Sequence, residues 1–167
     1  FIKSFKKNIE IFDTPSYFKD INKYHQIIHE TDLANNFSEY YKKNKKKLSN
    51  YMQKAIANGN KHSAKEYAEA IDFIKRSYES YKEVFEDYHG VLSPSSPGVA
   101  PKGLKSTGTA EFNKFWSFMG TPCISLPLLQ GENNLPLGVQ LIGDKYDDQR
   151  FLGTARWLEQ KSKGFNE

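Results

Sequence analysis

The spacing of apolar residues changes at Gly90, and this change limits the fold more than any other feature of the sequence. Upstream, large side chains recur every three or four residues for about six turns, the spacing of one face of a long helix. Downstream, Val91–Pro94 runs into a tract rich in Pro, Gly and Ser that extends to Gly108 and cannot hold a helix. The chain therefore joins a helical part to a part made of strands and loops. The upstream stripe comprises Tyr67, Ile71, Ile74, Tyr78, Tyr81, Phe85 and Tyr88.

Residues 1–90 are predicted to be mainly helical, with only Asn8–Phe12 resembling a strand. A helix is predicted to stop at Gly59, because glycine readily adopts a left-handed cap. Ser63 followed by Glu66 predicts a capping box, in which hydroxyl and carboxylate satisfy free backbone amides at the start of the long helix. Two shorter apolar stripes support this interpretation: Tyr17, Ile21, Tyr24 and Ile28, then Leu48, Met52 and Ile56.

Residues 91–167 predict strands, a long loop and a closing helix. Cys123–Leu126 and Val139–Ile142 are apolar strand candidates separated by a polar turn tract, which predicts a hairpin. Their nearly unbroken apolarity predicts burial on both faces, with Cys123 as a small buried hydrophobe. The pair Asp147–Asp148 can cap the last helix. We interpret the whole chain, residues 1–167, as a single α/β domain.

Composition excludes several classes of protein. No apolar run approaches the roughly 20 residues of a membrane span, so no membrane partner is expected. The single cysteine cannot form an internal disulfide and fits a reducing compartment, so the expected location is cytoplasmic. The chain starts at Phe1 rather than Met, which we interpret as processing or truncation. The net charge is +4, and the excess is gathered in Lys42, Lys43, Lys45, Lys46, Lys47 and Lys54.

Six sequence elements follow one another in a fixed order from the long helix onward. They are the aromatic helix, a strand entering Ser-Pro, a Thr-Gly loop, a Gly-Thr-Pro strand entry, a Leu-Pro-Leu-Gly-Val-Gln strand and an acidic pair before the last helix. This order resembles the carboxyl-terminal part of amidase-signature hydrolases, which cleave amide bonds with a Ser-Ser-Lys triad. The resemblance implies helices packed on part of a mixed β-sheet, whose remainder would come from a missing upstream segment. The elements span Tyr67 to Tyr88, Val91–Pro94, Thr107–Gly108, Gly120–Pro122, Leu135–Gly143 and Asp147–Asp148.

The triad of such enzymes has no counterpart in this sequence. The family's nucleophile lies in a Gly-Gly-Ser-Ser-Gly segment, because backbone amides must point at the developing oxyanion and a base must lie beside the hydroxyl. The pair Ser95–Ser96 is flanked instead by Pro94 and Pro97, and proline has no amide hydrogen. We interpret both serines as loop residues and expect no catalytic residue in this chain. The chain alone is predicted to be inactive.

The resemblance also implies a wall of a substrate pocket. In relatives, the segment before the Gly-x-Pro strand closes over the bound amide, which makes Phe112, Asn113 and Trp116 candidate substrate-binding residues. An asparagine can hydrogen-bond a carboxamide, and aromatic rings can wall an apolar substituent. The alternative is that the aromatic residues of this segment are simply core.

Two positions bear on the class of substrate. Ile74 and Ala110 stand where A subunits of tRNA-dependent amidotransferases carry an Arg and an Asp, which hold the charged groups of a free amino acid. Their absence favours a stand-alone amidase, with Ile74 at the substrate site. The expected function is to supply part of an amidase that hydrolyses a carboxamide C–N bond to a carboxylate and ammonia or an amine. One alternative is the A subunit of a glutamyl/aspartyl-tRNA amidotransferase; another is a non-catalytic interaction module or a basic nucleic-acid-binding module.

No metal or cofactor is expected. His25 and His29 share a helical face but lack the intervening Glu of a metalloprotease helix, and the acidic residues 144–148 fit helix capping. A lysine run is usually a solvated face, so nucleic acid is not the expected partner. The expected partners are a small amide substrate and the missing amino-terminal segment of the same protein. A homo-oligomer is the open alternative, because the strands of Ile124 and Leu141 are predicted to expose a sheet edge.

Overall fold

The computed structural model describes residue 5, residues 8–14 and residues 19–163, without the side chain of Lys163. The chain divides into two compact units, one formed by Phe1–Pro15 with Glu79–Glu167 and the other by Ser16–Tyr78. We call them the sheet unit and the helical unit. The interpretation of residues 1–167 as one domain stays a prediction.

The helical unit contains α1 (Ile21–Asn36), α2 (Ser38–Asn44), a 3-10 turn (Lys45–Lys47), α3 (Asn50–Gly59) and the first part of α4 (Ala64–Asp87). The helical character predicted for this half is therefore confirmed. Tyr17, a member of the first predicted stripe, lies outside the described residues. Asn8–Phe12 forms no strand, so that prediction is wrong. Among the described helices, none is long and apolar enough to cross a bilayer.

Gly59 ends α3 as predicted, but not by adopting a left-handed conformation. The φ angle of Gly59 is not positive, and the next residue, Asn60, has φ −69° and is right-handed. A Cβ atom at Gly59 would clash with the carbonyl oxygen of Glu30 and lie 2.9 Å from the Cβ of Ala34. The glycine is therefore required by the close approach of α1 to α3, which a local cap argument could not detect.

The capping box at the start of α4 is confirmed. The Ser63 backbone N–H donates to Glu66 Oε2 at 2.8 Å, and the Glu66 N–H donates to Ser63 Oγ at 3.2 Å. In the predicted apolar stripe, Tyr81 and Phe85 are buried, the residues of the first half of the helix are half-buried, and Tyr88 is exposed beyond the helix end. In that first half the fully buried residues are Ala70 and Ser77, which a count of large apolar side chains overlooks.

The described part of the sheet unit contains three strands in the order β1–β3–β2, each paired antiparallel with its neighbour. The central strand pairs Leu141 with Leu92 of β1 and with Ile124 of β2. The α/β class and the predicted hairpin are confirmed. Among the described residues the outer strands are β1 and β2, so the predicted sheet edge is confirmed for the strand of Ile124 and wrong for that of Leu141. The elements are β1 (Val91–Pro94), α5 (Glu111–Met119), β2 (Cys123–Gln130), β3 (Pro136–Ile142) and α6 (Asp148–Lys163).

The core of the sheet unit lies on one face of the sheet, against α6. Leu126 and Leu141 pack with Phe151 and Leu158 of that helix. The second half of β3 is buried on both faces, as predicted, but β2 alternates between buried and exposed positions and leaves Cys123 exposed. The prediction of a buried Cys123 is therefore wrong, because β2 is an outer strand.

Candidate functional site

Gln140 connects the three elements that surround the candidate site. It lies in the central strand and is buried, and its side-chain Nε2 donates to Ser93 Oγ at 2.8 Å and to the Pro94 carbonyl at 3.2 Å. The same group donates to the carbonyl of Phe112 at 3.0 Å. One amide therefore links the end of β1 and the first turn of α5 to the middle of the sheet.

Two serine hydroxyls meet on the same side of the sheet as the Gln140 side chain. Ser95 Oγ lies 2.7 Å from Ser125 Oγ, and the Ser95 N–H donates to the Gly138 carbonyl at 3.0 Å. A Cβ at Gly138 would lie 2.6 Å from Ser125 Oγ and 2.7 Å from Ser95 Oγ. The serines can meet only because β3 carries a glycine between them.

This polar face can form hydrogen bonds but cannot generate a nucleophile by itself. An activated serine needs an adjacent base. Ser95 bonds to another hydroxyl, and Ser96 Oγ donates to the carbonyl of Gly98 at 2.6 Å. The described bonds of these serines thus involve neutral groups, which can orient a neutral polar ligand.

The short helix α5 carries three of the residues that the sequence singled out. Asn113 is exposed, Phe112 is half-buried and Trp116 is 6% exposed. Trp116 packs edge-on against Phe115 and Tyr81, with ring centroids 4.4 Å and 5.4 Å away. Asn113 is therefore the member of this group whose side chain is freest to contact a ligand, while Trp116 lies in an aromatic cluster.

Ile74 lies in the helical unit, half-buried on α4. Its place in a substrate site stays a prediction, as do the roles of Phe112, Asn113 and Trp116.

A cleft of about 770 Å³ opens within the sheet unit beside β1. Residues 8–12, the end of α4, β1 and α6 surround it, and Trp116 and Leu141 contribute to its wall. Tyr88 donates a hydrogen bond to the carboxylate of Glu10 at the rim, and this bond raises the pKa of the Tyr88 phenol. No pattern in the sequence indicated the cleft, because its walls come from four separate segments.

Arg150 fixes the start of α6 beside this cleft. Its Nε lies 2.7 Å from Asp147 Oδ2, and one guanidinium nitrogen donates to the Phe85 carbonyl at 2.9 Å. The Arg150 N–H donates to Asp147 Oδ1 at 3.3 Å, so the predicted cap at Asp147 is confirmed. Asp147 thus caps α6 and also holds the guanidinium that joins α6 to the end of α4.

A buried carboxylate in the helical unit escaped the sequence analysis. Glu30 accepts hydrogen bonds from Asn58 and Gln26, each at 3.1 Å, and lies 2.9 Å from Nε2 of His62. Burial opposes ionisation, but these partners outweigh it and hold the pKa of Glu30 below its ordinary value. The sequence signal for this site was a charged residue on the face of α1 that is otherwise apolar. The partners could not be predicted, because two of them lie about 30 residues away in sequence.

The histidine pair is placed close together without further ligands of a metal. The rings of His25 and His29 stack with centroids 5.9 Å apart, and His29 Nε2 lies 3.3 Å from the Tyr51 hydroxyl. Within residues 19–163 and the short described stretch before them, no group of three His, Cys, Asp or Glu side chains is arranged to hold a metal ion. The sulfur of Cys123 is partly buried although the residue as a whole is exposed, and this partial burial raises the pKa of the thiol, which disfavours the thiolate.

Comparison with known proteins places these features in a family. The family model described as Amidase matches residues 3–152. The A subunit of glutamyl-tRNA(Gln) amidotransferase from Alkaliphilus metalliredigens is 36% identical over 109 residues, which is 60% of this chain and 22% of the relative. Its counterpart from Wolinella succinogenes is 37% identical over 86 residues, covering 48% of this chain and 19% of the relative. The chain thus spans about a fifth of the length of these curated relatives.

Solved structures share the fold at low sequence identity. An amidase crystal structure matches with a TM-score of 0.75 and 20% identity, over 86% of this chain and 36% of that protein. A bacterial aryl acylamidase of the amidase-signature enzymes matches with a TM-score of 0.62 and 14% identity, over 80% of this chain and 32% of that protein. Since the family model covers most of the chain and the six predicted elements occur in order, the chain belongs to the amidase-signature family.

Proposed function

We propose that this chain supplies the carboxyl-terminal part of an amidase that hydrolyses a carboxamide C–N bond. Water supplies the hydroxyl of the product carboxylic acid, the C–N bond breaks, and the nitrogen leaves as ammonia or an amine. The observation that carries the proposal is the Gln140 amide, which holds the first turn of α5 against the polar sheet face. That arrangement supports a pocket wall in which Asn113 hydrogen-bonds the carboxamide and Phe112 contacts its apolar substituent, with Trp116 behind them. Ile74 is proposed as a substrate-binding residue on the resemblance in sequence alone.

The nucleophile and its base are proposed to come from an upstream segment of the same protein. The outer edge of β1 has no strand partner among the described residues, and the 770 Å³ cleft lies beside it. Unpaired backbone groups of an edge strand are a template for a further strand. We therefore propose that the upstream segment extends the sheet from β1 and occupies this cleft.

Ammonia release from benzamide and from glutamine tests the proposal. The chain alone should release none, whereas a polypeptide extended upstream to a Gly-Gly-Ser-Ser-Gly segment and its lysine should be active. In that longer protein, Asn113→Ala should raise KM about tenfold, the loss of one good hydrogen bond. Turnover by the purified chain that persists in a Ser95→Ala, Ser96→Ala variant would contradict the proposal.

A second candidate is the A subunit of a glutamyl-tRNA amidotransferase, which is what the curated relatives above are called. The two candidates differ in the preferred ammonia donor. Ile74 and Ala110 offer no charge to a free amino acid, so we expect benzamide to be used better than glutamine. A preference of the longer protein for glutamine would favour the second candidate.

A further inference from the structure

The positive charge of the chain is concentrated in one exposed segment of the helical unit, residues 37–54. The segment contains six lysines and one acidic residue, Glu39, a net charge of +5, whereas the whole chain carries +4. The rest of the chain therefore has a net charge of −1. The positive electrostatic potential of the chain therefore comes from this segment, and a local positive potential attracts an anionic partner to that part of the surface.

Intramolecular ion pairs leave much of this charge available. Glu39 lies 3.3 Å from Lys42 Nζ and 3.7 Å from Lys43 Nζ, and all three side chains are at least 70% exposed. Lys45, Lys46 and Lys47 form no ion pair with any carboxylate of the described chain, and all three are exposed. They occupy one 3-10 turn, in which three residues complete a revolution, so their side chains fan out in different directions.

Aromatic rings lie among the lysines. Tyr40 is 45% exposed and Tyr51 is 67% exposed, and Lys45 Nζ lies 5.2 Å from the centroid of the Tyr41 ring. Tyr51 contacts His29, whose ring stacks on His25, so two more basic side chains adjoin the segment. Rings beside lysines can stack on unpaired bases while the ammonium groups contact phosphates.

The shape of the segment favours a nucleic-acid strand over a lipid surface. Helix α2 buries no residue, and its exposed ring, Tyr40, carries a hydroxyl group. Phe37, 39% exposed just before the helix, is a single apolar ring and does not form the broad apolar face that inserts into a bilayer. Lysines that fan around a turn can contact a strand that curves past them but cannot all face one plane. The positive charge of the segment comes from lysine alone, and an ammonium group can neutralise a phosphate whatever the base sequence.

We propose that residues 37–54 bind a single-stranded nucleic acid through its phosphate backbone and unpaired bases, without sequence specificity. This surface lies on the helical unit and is independent of the proposed amidase function. This proposal differs from the expectation based on the sequence, in which nucleic acid was not the expected partner. The reason is that the lysines are exposed and alternate with exposed aromatic rings.

Fluorescence anisotropy of a labelled oligouridylate of about 20 nucleotides, titrated with the full chain, tests the proposal. We expect a Kd of about 1–10 µM at low salt that weakens steeply as salt is added. The K45Q/K46Q/K47Q variant should lose affinity at least tenfold, and its slope of log K against log salt should fall by about 2, since each phosphate contact to a single strand contributes about 0.7. The matched control K75Q/K82Q/K161Q removes the same charge from exposed sites outside the segment and should stay within about twofold of the parent.

Y40L/Y51L separates stacking from charge. It should weaken binding about fivefold or more and leave the salt slope unchanged, because stacking releases no counterion. Unchanged affinity of this variant would overturn the assignment to a single strand. Equal losses in the two lysine variants, no binding at low salt, or binding to phosphatidylserine vesicles in place of the oligonucleotide would overturn the proposal as a whole. Circular dichroism of every variant checks that the helices are retained.

Discussion

The helical unit surrounds its buried carboxylate, Glu30, with side-chain partners of its own, whereas the sheet unit leaves both outer strands without a further strand among the described residues. The contrast extends to the connections. The helices are joined by short turns, while a loop of sixteen residues, 95–110, separates β1 from α5. Irregular loops of this length are uncommon in compact proteins.

This difference indicates where each unit's stability and chemistry originate. In the helical unit, α1 packs closely against α3 at Gly59, and hydrogen bonds surround the buried Glu30, so its stability depends on contacts within the unit. In the sheet unit, β1 and β2 have no outer strand partner among the described residues, and we propose that further chain or substrate is added beside this edge, the polar face and the cleft. The four predictions below test this contrast, from the largest expected effect to the smallest.

Gly59→Ala should be the most damaging single change in the helical unit. The new methyl would clash with the Glu30 backbone carbonyl, so α1 and α3 must separate. We expect a loss of about 3 kcal/mol in the free energy of unfolding, the upper end for overpacking. Urea denaturation followed by circular dichroism measures it.

Gly153→Ala is the matched control, because nothing lies within 4 Å of a Cβ at Gly153 inside α6. It should stabilise the protein by up to about 1 kcal/mol, the helix propensity difference. A similar effect of both changes would show that close packing of α1 and α3 is not what holds the helical unit.

Glu30→Gln should cost about 2 kcal/mol at pH 7, the usual value of hydrogen bonds to a charged group. Because the folded pKa of Glu30 lies below its ordinary value of 4.5, its contribution is complete above that pH and is lost as the pH falls through the folded pKa. The parent should therefore lose more stability than the variant as the pH falls from neutral to below the folded pKa, as measured by urea denaturation at each pH.

The exposed Glu39 provides the control for this experiment. Glu39→Gln should change stability by less than about 0.5 kcal/mol. Parallel acid dependence of the parent and Glu30→Gln would contradict the role assigned to the buried carboxylate.

Gln140→Met should destabilise the sheet unit by about 1–2 kcal/mol, because Ser93 and Phe112 lose their shared donor. Amide hydrogen exchange should become faster in the first turn of α5, since that turn loses its link to the sheet. The control Gln160→Met, at an exposed position of α6, should change neither the stability of the sheet unit nor the hydrogen exchange of α5. Unaltered exchange in α5 would mean that Gln140 does not position this helix.

Ser63→Ala should have the smallest effect, about 1 kcal/mol, the usual value of an N-cap. The hydroxyl that receives the Glu66 N–H is lost, while the turn that precedes α4 keeps its other contacts. Thermal unfolding monitored by the helical circular dichroism signal measures the change. Ser106→Ala, in the exposed loop, serves as the control and should leave the melting temperature unchanged.

The candidate site was predictable only in part. Phe112, Asn113 and Trp116 were proposed because they stand in a recognisable order of motifs. The structure places them on one short helix, and their role in substrate binding stays a prediction. Ser125 and Gln140 interrupt apolar strands as single polar residues, a signal that could have identified them. Their partners Ser95 and Ser93 could not be found in the same way. They lie 30 and 47 positions away in sequence, and only the pairing of the strands brings them close.

The sequence by itself determined the switch from helices to strands, the hairpin, the capping box at Ser63 and the family, because each depends on residues close together or on a fixed order of motifs. Tertiary structure alone decided that Gly59 serves helix contact, that Leu141 is central and that Cys123 is exposed. It also decided that Glu30 is enclosed by donors from α3 and the following turn. The physical reason is the same in each case: burial and close approach depend on which segments pack together, and local periodicity does not contain that information.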